Sequence, residues 1–291
     1  LDQRRAEVYG SVPGIWKWLF KLAGVEDVVH RFRENSQAAW IAQNQPEVWQ
    51  KTHKYLLLSG YLTFKLTGEF KDSIASQVGY IPFDYKKRAW ANDSDWRYSV
   101  APELKRSMLP ELVEPGDKLG QLTKAAAEHI GLVEGLPVIA SASDKACEIL
   151  GSGGNRPDIA CMSYGTTATI NTTNRKYVEP IKFMPAYSSA IPKVFSSEIM
   201  IYRGFWMVSW FKKEFGLREQ HIADERGIEP EQLFDELVNQ VPAGSMGLML
   251  QPYWSPGVRD PGPEAKGGII GFGDVHTRAH IYRAILEGLA Y

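Results

Sequence analysis

The sequence predicts an α/β protein built in two regions, and three observations predict it. Short apolar runs such as Leu136–Ala140, Ile159–Ser163, Ala168–Thr172 and Val194–Tyr202 have the length of strands. Stretches with apolar residues at helical spacing, among them Pro230–Val241 and His276–Tyr291, alternate with those runs. Between the halves lies Gly151-Ser-Gly-Gly-Asn-Arg-Pro157, the densest cluster of chain breakers, which sets the expected boundary between a region 1–150 and a region 151–291.

Each element follows from local pattern. Ile15, Trp16, Trp18, Leu19, Phe20 and Leu22 make an apolar helix. Pro46 suits a first helical turn and opens a helix that Leu56, Leu57, Tyr61, Leu62, Phe64 and Leu66 continue, with Gly68 as the stop. Lys71–Trp90 carries Ser, Gly and Asp and reads as loop or short strands. Leu122–Gly131 reads as a short helix ending on glycine, and Val138–Ala140 as a buried strand. Further on, Leu233, Phe234, Leu237 and Val241 fall on one helical face. Gly247–Leu250 reads as a strand, Pro252–Gly268 as a loop, and Ile281, Ala284, Ile285 and Leu289 as one face of the last helix.

Composition excludes several function classes. The 291 residues include 33 basic and 34 acidic side chains, so no global field recruits nucleic acid or an anionic membrane. Apolar stretches fall far short of the ~18–20 residues of a membrane span. Leu1-Asp-Gln-Arg-Arg5 has no signal-peptide character. Cys147 and Cys161 lack metal-type spacing and sit in apolar contexts, which predicts buried free thiols in a reducing, cytoplasmic compartment. The first residue is not Met and Tyr291 falls inside a helical pattern, so both ends are expected to be internal to a longer chain.

The chemistry concentrates in Val138–Thr173. An apolar run delivers one acid, Asp144, to a helix start; a second run feeds the turn Gly165-Thr166-Thr167. An acid at a strand end can take a proton from an attacking hydroxyl, and a small hydroxyl-bearing turn can present N–H groups to phosphate. Read locally, the better reading is Asp144 as a helix N-cap, and Gly165-Thr166-Thr167 as a hairpin turn using glycine for positive φ. No GxxxxGK[ST] occurs, which excludes a P-loop enzyme, and no GxGxxG follows a strand. His276 and His280 have the spacing of a two-histidine metal face, but Thr277 stands where a metalloprotease glutamate would, so capping and surface hydrogen bonding are expected. The aromatic segments Arg203–Val208 and Pro252–Gly257 read as core packing or as a shelf for a sugar or adenine.

Several collinear segments resemble the FGGY family of carbohydrate kinases. Leu1-Asp-Gln-Arg-Arg-Ala6 resembles W-x-D-x-R-A without its tryptophan. Pro46-Glu-Val-Trp49 with Leu66-Thr-Gly-Glu69 resembles the P-E-x-W…L-T-G-E helix pair. Lys71-Asp-Ser-Ile-Ala-Ser76, Phe83-Asp84 and Trp90 resemble T-D-x-S-x-A-S…F-D…W. Ser143-Asp-Lys-Ala146 resembles the segment of the catalytic aspartate, Tyr164-Gly-Thr-Thr167 a phosphate motif, and His276–Gly288 a late helix signature.

The resemblance implies an actin/hexokinase-type (ribonuclease H-like) ATPase fold, with two α/β domains around a cleft, both truncated here. It implies ATP-dependent phosphorylation of a sugar or polyol, with Asp144 as general base and the β/γ-phosphates on Gly165, Thr166 and Thr167. Gly247 matches a backbone position near the nucleotide; Asp2, Phe32 and Lys145 match the sugar side. Lys145 stands where the glycerol kinase branch has glutamine, which makes the chain xylulokinase-like. The family's first phosphate loop, D-x-G-T, and its late G-G-G-A-K/R-S motif are absent from the sequence. Mg²⁺ is therefore expected to be held mainly through groups outside these residues, and the chain alone is expected to be a poor catalyst. An apolar face left by absent N-terminal strands would favour aggregation or a homodimer. A non-catalytic sugar-binding protein on the same fold is the alternative.

Overall fold

The N-terminal part is helical, as its apolar spacing predicts. α1 spans Ile15–Ala23, α2 Glu26–Glu34 and α3 Gln37–Asn44. Ser36 starts α3 by accepting a hydrogen bond from the Ala39 amide at 3.3 Å, one of the donors a helix start leaves unpaired. The single helix expected from Pro46 to Gly68 is instead two: α4 covers Pro46–Gln50 and α5 Leu58–Thr67. The break has a tertiary cause. The Tyr55 amide donates to the Met108 carbonyl at 2.9 Å, and Lys54 Nζ donates to the Ser107 carbonyl at 2.7 Å. These bonds hold residues 51–57 out of helical geometry. Gly68, at φ 77°, ends α5 as predicted.

The structure is a computed structural model describing residues 4–8, 12, 15–181, 184–255, 257, 261–262 and 264–291. The described chain forms two compact units, one of residues 1–160 and 172–197, the other of residues 161–171 and 198–291. Among the described residues no helix is long and apolar enough to cross a membrane.

In the first unit, β1 (Lys71–Ser73) pairs in parallel with β4 (Glu111–Val113), while β2 (Phe83–Asp84) and β3 (Ala89–Trp90) form a hairpin. β5 (Lys118–Gln121) runs antiparallel to β6 (Pro137–Ile139), with α6 (Lys124–Ile130) between them. Thr123 caps α6 and Gly131 closes it in the left-handed region. β6 is not the buried strand expected: Ile139 is 51% exposed, and among the described residues β5 is the one strand paired with it. α7 (Asp144–Gly151) follows β6. Phe83, Trp90, Ile81 and Leu104 centre one core cluster, and Phe20, Val25 and Val29 a smaller one under α1 and α2.

β7 (Ala160–Tyr164), β8 (Ala168–Asn174), β9 (Tyr187–Ser188) and β10 (Phe195–Ile201) form a four-stranded sheet in the order β7-β8-β10-β9. In the second unit, α8 (Trp206–Phe215), α9 (Leu217–Arg226) and α10 (Pro230–Asn239) follow β10. The hairpin β11 (Met249–Gln251) with β12 (Gly268–Ile270) and the closing helix α11 (Arg278–Ala290) complete it. Leu233, Phe234, Leu237 and Val241 are buried as their spacing predicts, and Phe234, Leu237 and Val241 share a core cluster with Met207, Phe211 and Ile285. Gly247 lies outside β11, at the end of a tight turn rather than in the strand expected from Gly247–Leu250. Neither Cys147 nor Cys161 is in a disulfide, and both are half-buried rather than buried as expected.

Candidate active site

Asp144 is the first residue of α7, and it does not cap that helix. Ser143 does: it is extended at φ −60° and ψ 156°, and its side chain accepts from the Ala146 amide at 3.4 Å. Asp144 is thereby released from the cap role that its position offers. It is exposed, and its Oδ1 accepts from the Lys145 amide at 2.7 Å. Lys145 Nζ turns to Glu148 Oε2 at 2.7 Å, one turn along the helix.

Gly165, Thr166 and Thr167 form the turn from β7 to β8, in the second unit. Gly165 is not among the residues at positive φ, so the hairpin explanation for glycine there does not hold. A Cβ at Gly165 would meet only the Thr167 carbonyl, at an ordinary 3.7 Å. The protein's own packing thus does not demand glycine here; the bare, exposed backbone leaves room for something else to approach. The Gly165 amide donates to the Thr167 carbonyl at 3.1 Å. Thr167 Oγ1 donates to the Tyr202 carbonyl at 3.4 Å, and Thr166 is exposed.

That turn is braced by the aromatic segment Arg203–Val208, through contacts that its pattern does not reveal. The Phe205 amide donates to the Gly165 carbonyl at 3.1 Å, and the Phe205 and Tyr164 rings lie 4.7 Å apart. A Cβ at Gly204 would stand 2.2 Å from the Ala168 nitrogen, so only glycine lets the start of α8 lie against the turn. The available signal was a glycine placed between a strand pattern and an apolar helix. Within that segment Met207 is fully buried, Trp206 and Val208 are half-buried and Arg203 is exposed.

The remaining predicted positions are placed as follows. Gly247 has φ 90° and ends a run of four left-handed residues that begins at Gly244. Phe32, on α2, packs its ring 5.3 Å from Tyr80. Asp2 lies outside the described residues. His276 Nδ1 accepts from the Gly273 amide at 2.7 Å, and His280 Nδ1 from the Thr277 amide at 3.1 Å as half of a capping box. Among the described residues no group of three or more His, Cys, Asp or Glu gathers to hold a metal ion. The described residues thus assemble no donor set for Mg²⁺.

Comparison with known proteins gives a consistent result. The family model for the N-terminal domain of the FGGY family of carbohydrate kinases matches residues 23–151, and that for its C-terminal domain matches residues 160–291. The uncharacterized sugar kinase YgcE of Escherichia coli (strain K12) is 36% identical over 235 residues, covering 80% of this chain and 46% of that protein. The xylulose kinase of Lactococcus lactis is 28% identical, over 87% of this chain and 48% of its own length. The chain therefore spans about half the length of the curated relatives it matches. Among solved structures, ligand-bound xylulose kinase from Lactobacillus acidophilus superposes with a TM-score of 0.73 at 19% identity, over 94% of this chain and 55% of that one. Xylulose kinase from Rhodospirillum rubrum superposes with a TM-score of 0.69 at 23% identity, over 91% and 50%.

Proposed function

The chain belongs to the FGGY family of carbohydrate kinases, with the actin/hexokinase-type fold of those enzymes, and from this we propose that it forms part of an ATP-dependent kinase acting on a sugar or polyol hydroxyl. In this reading Asp144 accepts the proton of the hydroxyl as its oxygen attacks the γ-phosphorus of ATP. The P–O bond to the β-phosphate breaks, ADP leaves, and the proton rests on the Asp144 carboxylate. The turn Gly165-Thr166-Thr167 receives the β/γ-phosphates, with the exposed Thr166 offering its amide and hydroxyl, Gly204 keeping that turn in shape and Gly247 near the nucleotide. Phe32 and Lys145, with Asp2, lie on the sugar side. A bound Mg²⁺ would neutralise charge on the phosphates, and its ligands would be groups other than those described here. Residues 1–150 and 151–291 correspond to the parts that bind sugar and nucleotide.

One observation carries the reading. Ser143 takes the cap of α7, which leaves Asp144 an exposed carboxylate at a helix start with its Oδ2 free of the cap duty. An aspartate needed for helix capping alone would occupy the position that Ser143 holds.

Relatives named xylulose kinases make a ketopentose the first sugar to try. The test is ADP release against a panel of pentoses, ketopentoses, hexoses and polyols, using the complete protein that carries this sequence. Sugar-dependent ADP release with one preferred substrate supports the reading. Tight sugar binding without ADP release would instead favour a binding protein on this fold. The 291 residues alone, without the D-x-G-T loop, are expected to give no measurable turnover.

A further inference from the structure

Beneath the Asp144 turn lies a buried polar group that the mechanism above does not use. Asp72, on β1, is 1% exposed. Its Oδ2 accepts from Ser59 Oγ at 2.8 Å and from Gln77 Nε2 at 2.9 Å, and its Oδ1 from the Ser73 amide at 2.8 Å. The Gly60 amide adds a fourth donor. A Cβ at Gly60 would stand 3.2 Å from Asp72 Oδ2, so α5 closes tightly over the carboxylate. Gln77 also donates to the Ser73 carbonyl at 2.9 Å, which ties both backbone groups of Ser73 to this node.

From there the network reaches the site. Ser73 is 1% exposed and its Oγ donates to the Ser141 carbonyl at 2.5 Å. Two residues on, the Ala75 carbonyl accepts from the Ser143 amide at 2.9 Å. Residues 141 and 143 are thus each fixed to the 73–75 turn, and Asp144 is the next residue. A buried carboxylate with this many donors would be costly to assemble for packing alone, since burial penalises its charge. Its contacts hold a backbone turn instead of pairing with a cation.

We propose that Asp72, acting through Ser73, is a positioning residue for Asp144: the buried relay from Asp72 to Ser73 to the Ser141 carbonyl fixes the turn from which the general base projects. The proposal rests on Asp144 being that base. Its physical basis is that a base must sit within hydrogen-bond reach of the proton it takes, and small displacements of such a group cost rate steeply.

The test uses Ser73→Ala, which removes one hydroxyl and leaves the Asp72 node in place; Asp72→Asn is the second variant. Amide hydrogen exchange is followed on the 291-residue chain, and turnover with the preferred sugar on the complete protein. In Ser73→Ala the Ser143 and Ala146 amides are expected to exchange about 5- to 10-fold faster, the effect of one lost hydrogen bond. Amides of β11, in the other unit, keep their wild-type rates. Turnover is expected to fall about 10-fold with the sugar KM within about twofold. Wild-type exchange at Ser143 and Ala146, or wild-type kcat, overturns the proposal. Asp144→Asn separates the two readings. If it keeps its turnover, the base assignment fails and the proposal with it. If it loses turnover while Ser73→Ala keeps both turnover and slow exchange, the proposal alone fails.

Discussion

The Ala168 nitrogen lies where a side chain on Gly204 would have to be: a Cβ there would stand 2.2 Å from that nitrogen and 2.4 Å from the Ala168 Cβ. Gly204 and Ala168 both belong to the second unit, Gly204 at the strand-to-helix entry of α8 and Ala168 as the first residue of β8, directly after the turn. Gly204→Ala must therefore push the turn Gly165–Thr167 away from α8. Overpacking of this kind costs about 1–3 kcal/mol. Thermal unfolding should register that loss, and ADP affinity of the complete protein should weaken by about tenfold if the turn holds phosphates. Unchanged ADP affinity in a destabilised Gly204→Ala protein would remove the turn from the nucleotide site.

Asp144→Asn isolates chemistry from structure. Asparagine has the same shape and its side-chain oxygen can still accept from the Lys145 amide. The residue is exposed, so the melting temperature should shift by no more than about 1–2 °C. Turnover should fall at least ~10²-fold, the scale for removing a general base. Steady-state ADP release with the preferred sugar reads the second effect, and a melt on the same sample reads the first.

The legible parts of the chain were those governed by neighbours in sequence. Gly68 and Gly131 end helices at positive φ, and Leu233, Phe234 and Leu237 bury one helical face, because three- and four-residue spacing decides both. The break between α4 and α5 was not legible, since the Tyr55 bond to Met108 that causes it spans 53 residues. The exposure of β6 was hidden for a related reason: an apolar strand reads as buried, whereas burial depends on which strands lie beside it. At the site, Asp144 and Gly165–Thr167 could be singled out by residue type and collinear motif. Gly204 and Asp72 stand in segments that the pattern also marks, an aromatic stretch and a family-like motif, but their roles are not readable there, because each matters through contacts that only the folded chain makes. Whether Asp144 was a cap depended on the neighbouring Ser143, an equally good cap by composition.

Arg278 and Glu219 join α11 to α9 in the second unit through a two-pronged pair, with Arg278 Nη2 2.6 Å from Glu219 Oε1. Glu219 is 5% exposed. Removing the cation alone leaves a carboxylate buried without its partner, and losses of about 3 kcal/mol are usual when one member of such a pair is removed. Arg278→Met should therefore destabilise the second unit strongly. The double variant Arg278→Met with Glu219→Leu should recover most of that loss, since replacing both members with apolar groups is often near neutral. Denaturant unfolding of the two variants and wild type decides it. A double variant no more stable than Arg278→Met would show that the pair does more than cancel its own burial.

Tyr282 makes alkaline stability a property of the core of the second unit. Its ring lies 4.8 Å from Phe211 and 5.2 Å from Phe234, and the residue is 5% exposed. Burial, with a smaller contribution from the negative charges of Asp235 and Glu231, pushes its hydroxyl up to about 12. In the unfolded chain a tyrosine ionises near ~10. Between those two values the unfolded state has released a proton that the folded state still holds. Stability from this group is therefore fully present below pH ~10 and is lost as pH rises towards about 12. Tyr282→Phe removes the titrating proton and should flatten the fall in stability across that window, while changing little at neutral pH. Chemical unfolding of wild type and variant at several pH values from neutral to alkaline measures the difference. Parallel curves would show that the hydroxyl is hydrated in the folded state and that its ionisation is not coupled to the core.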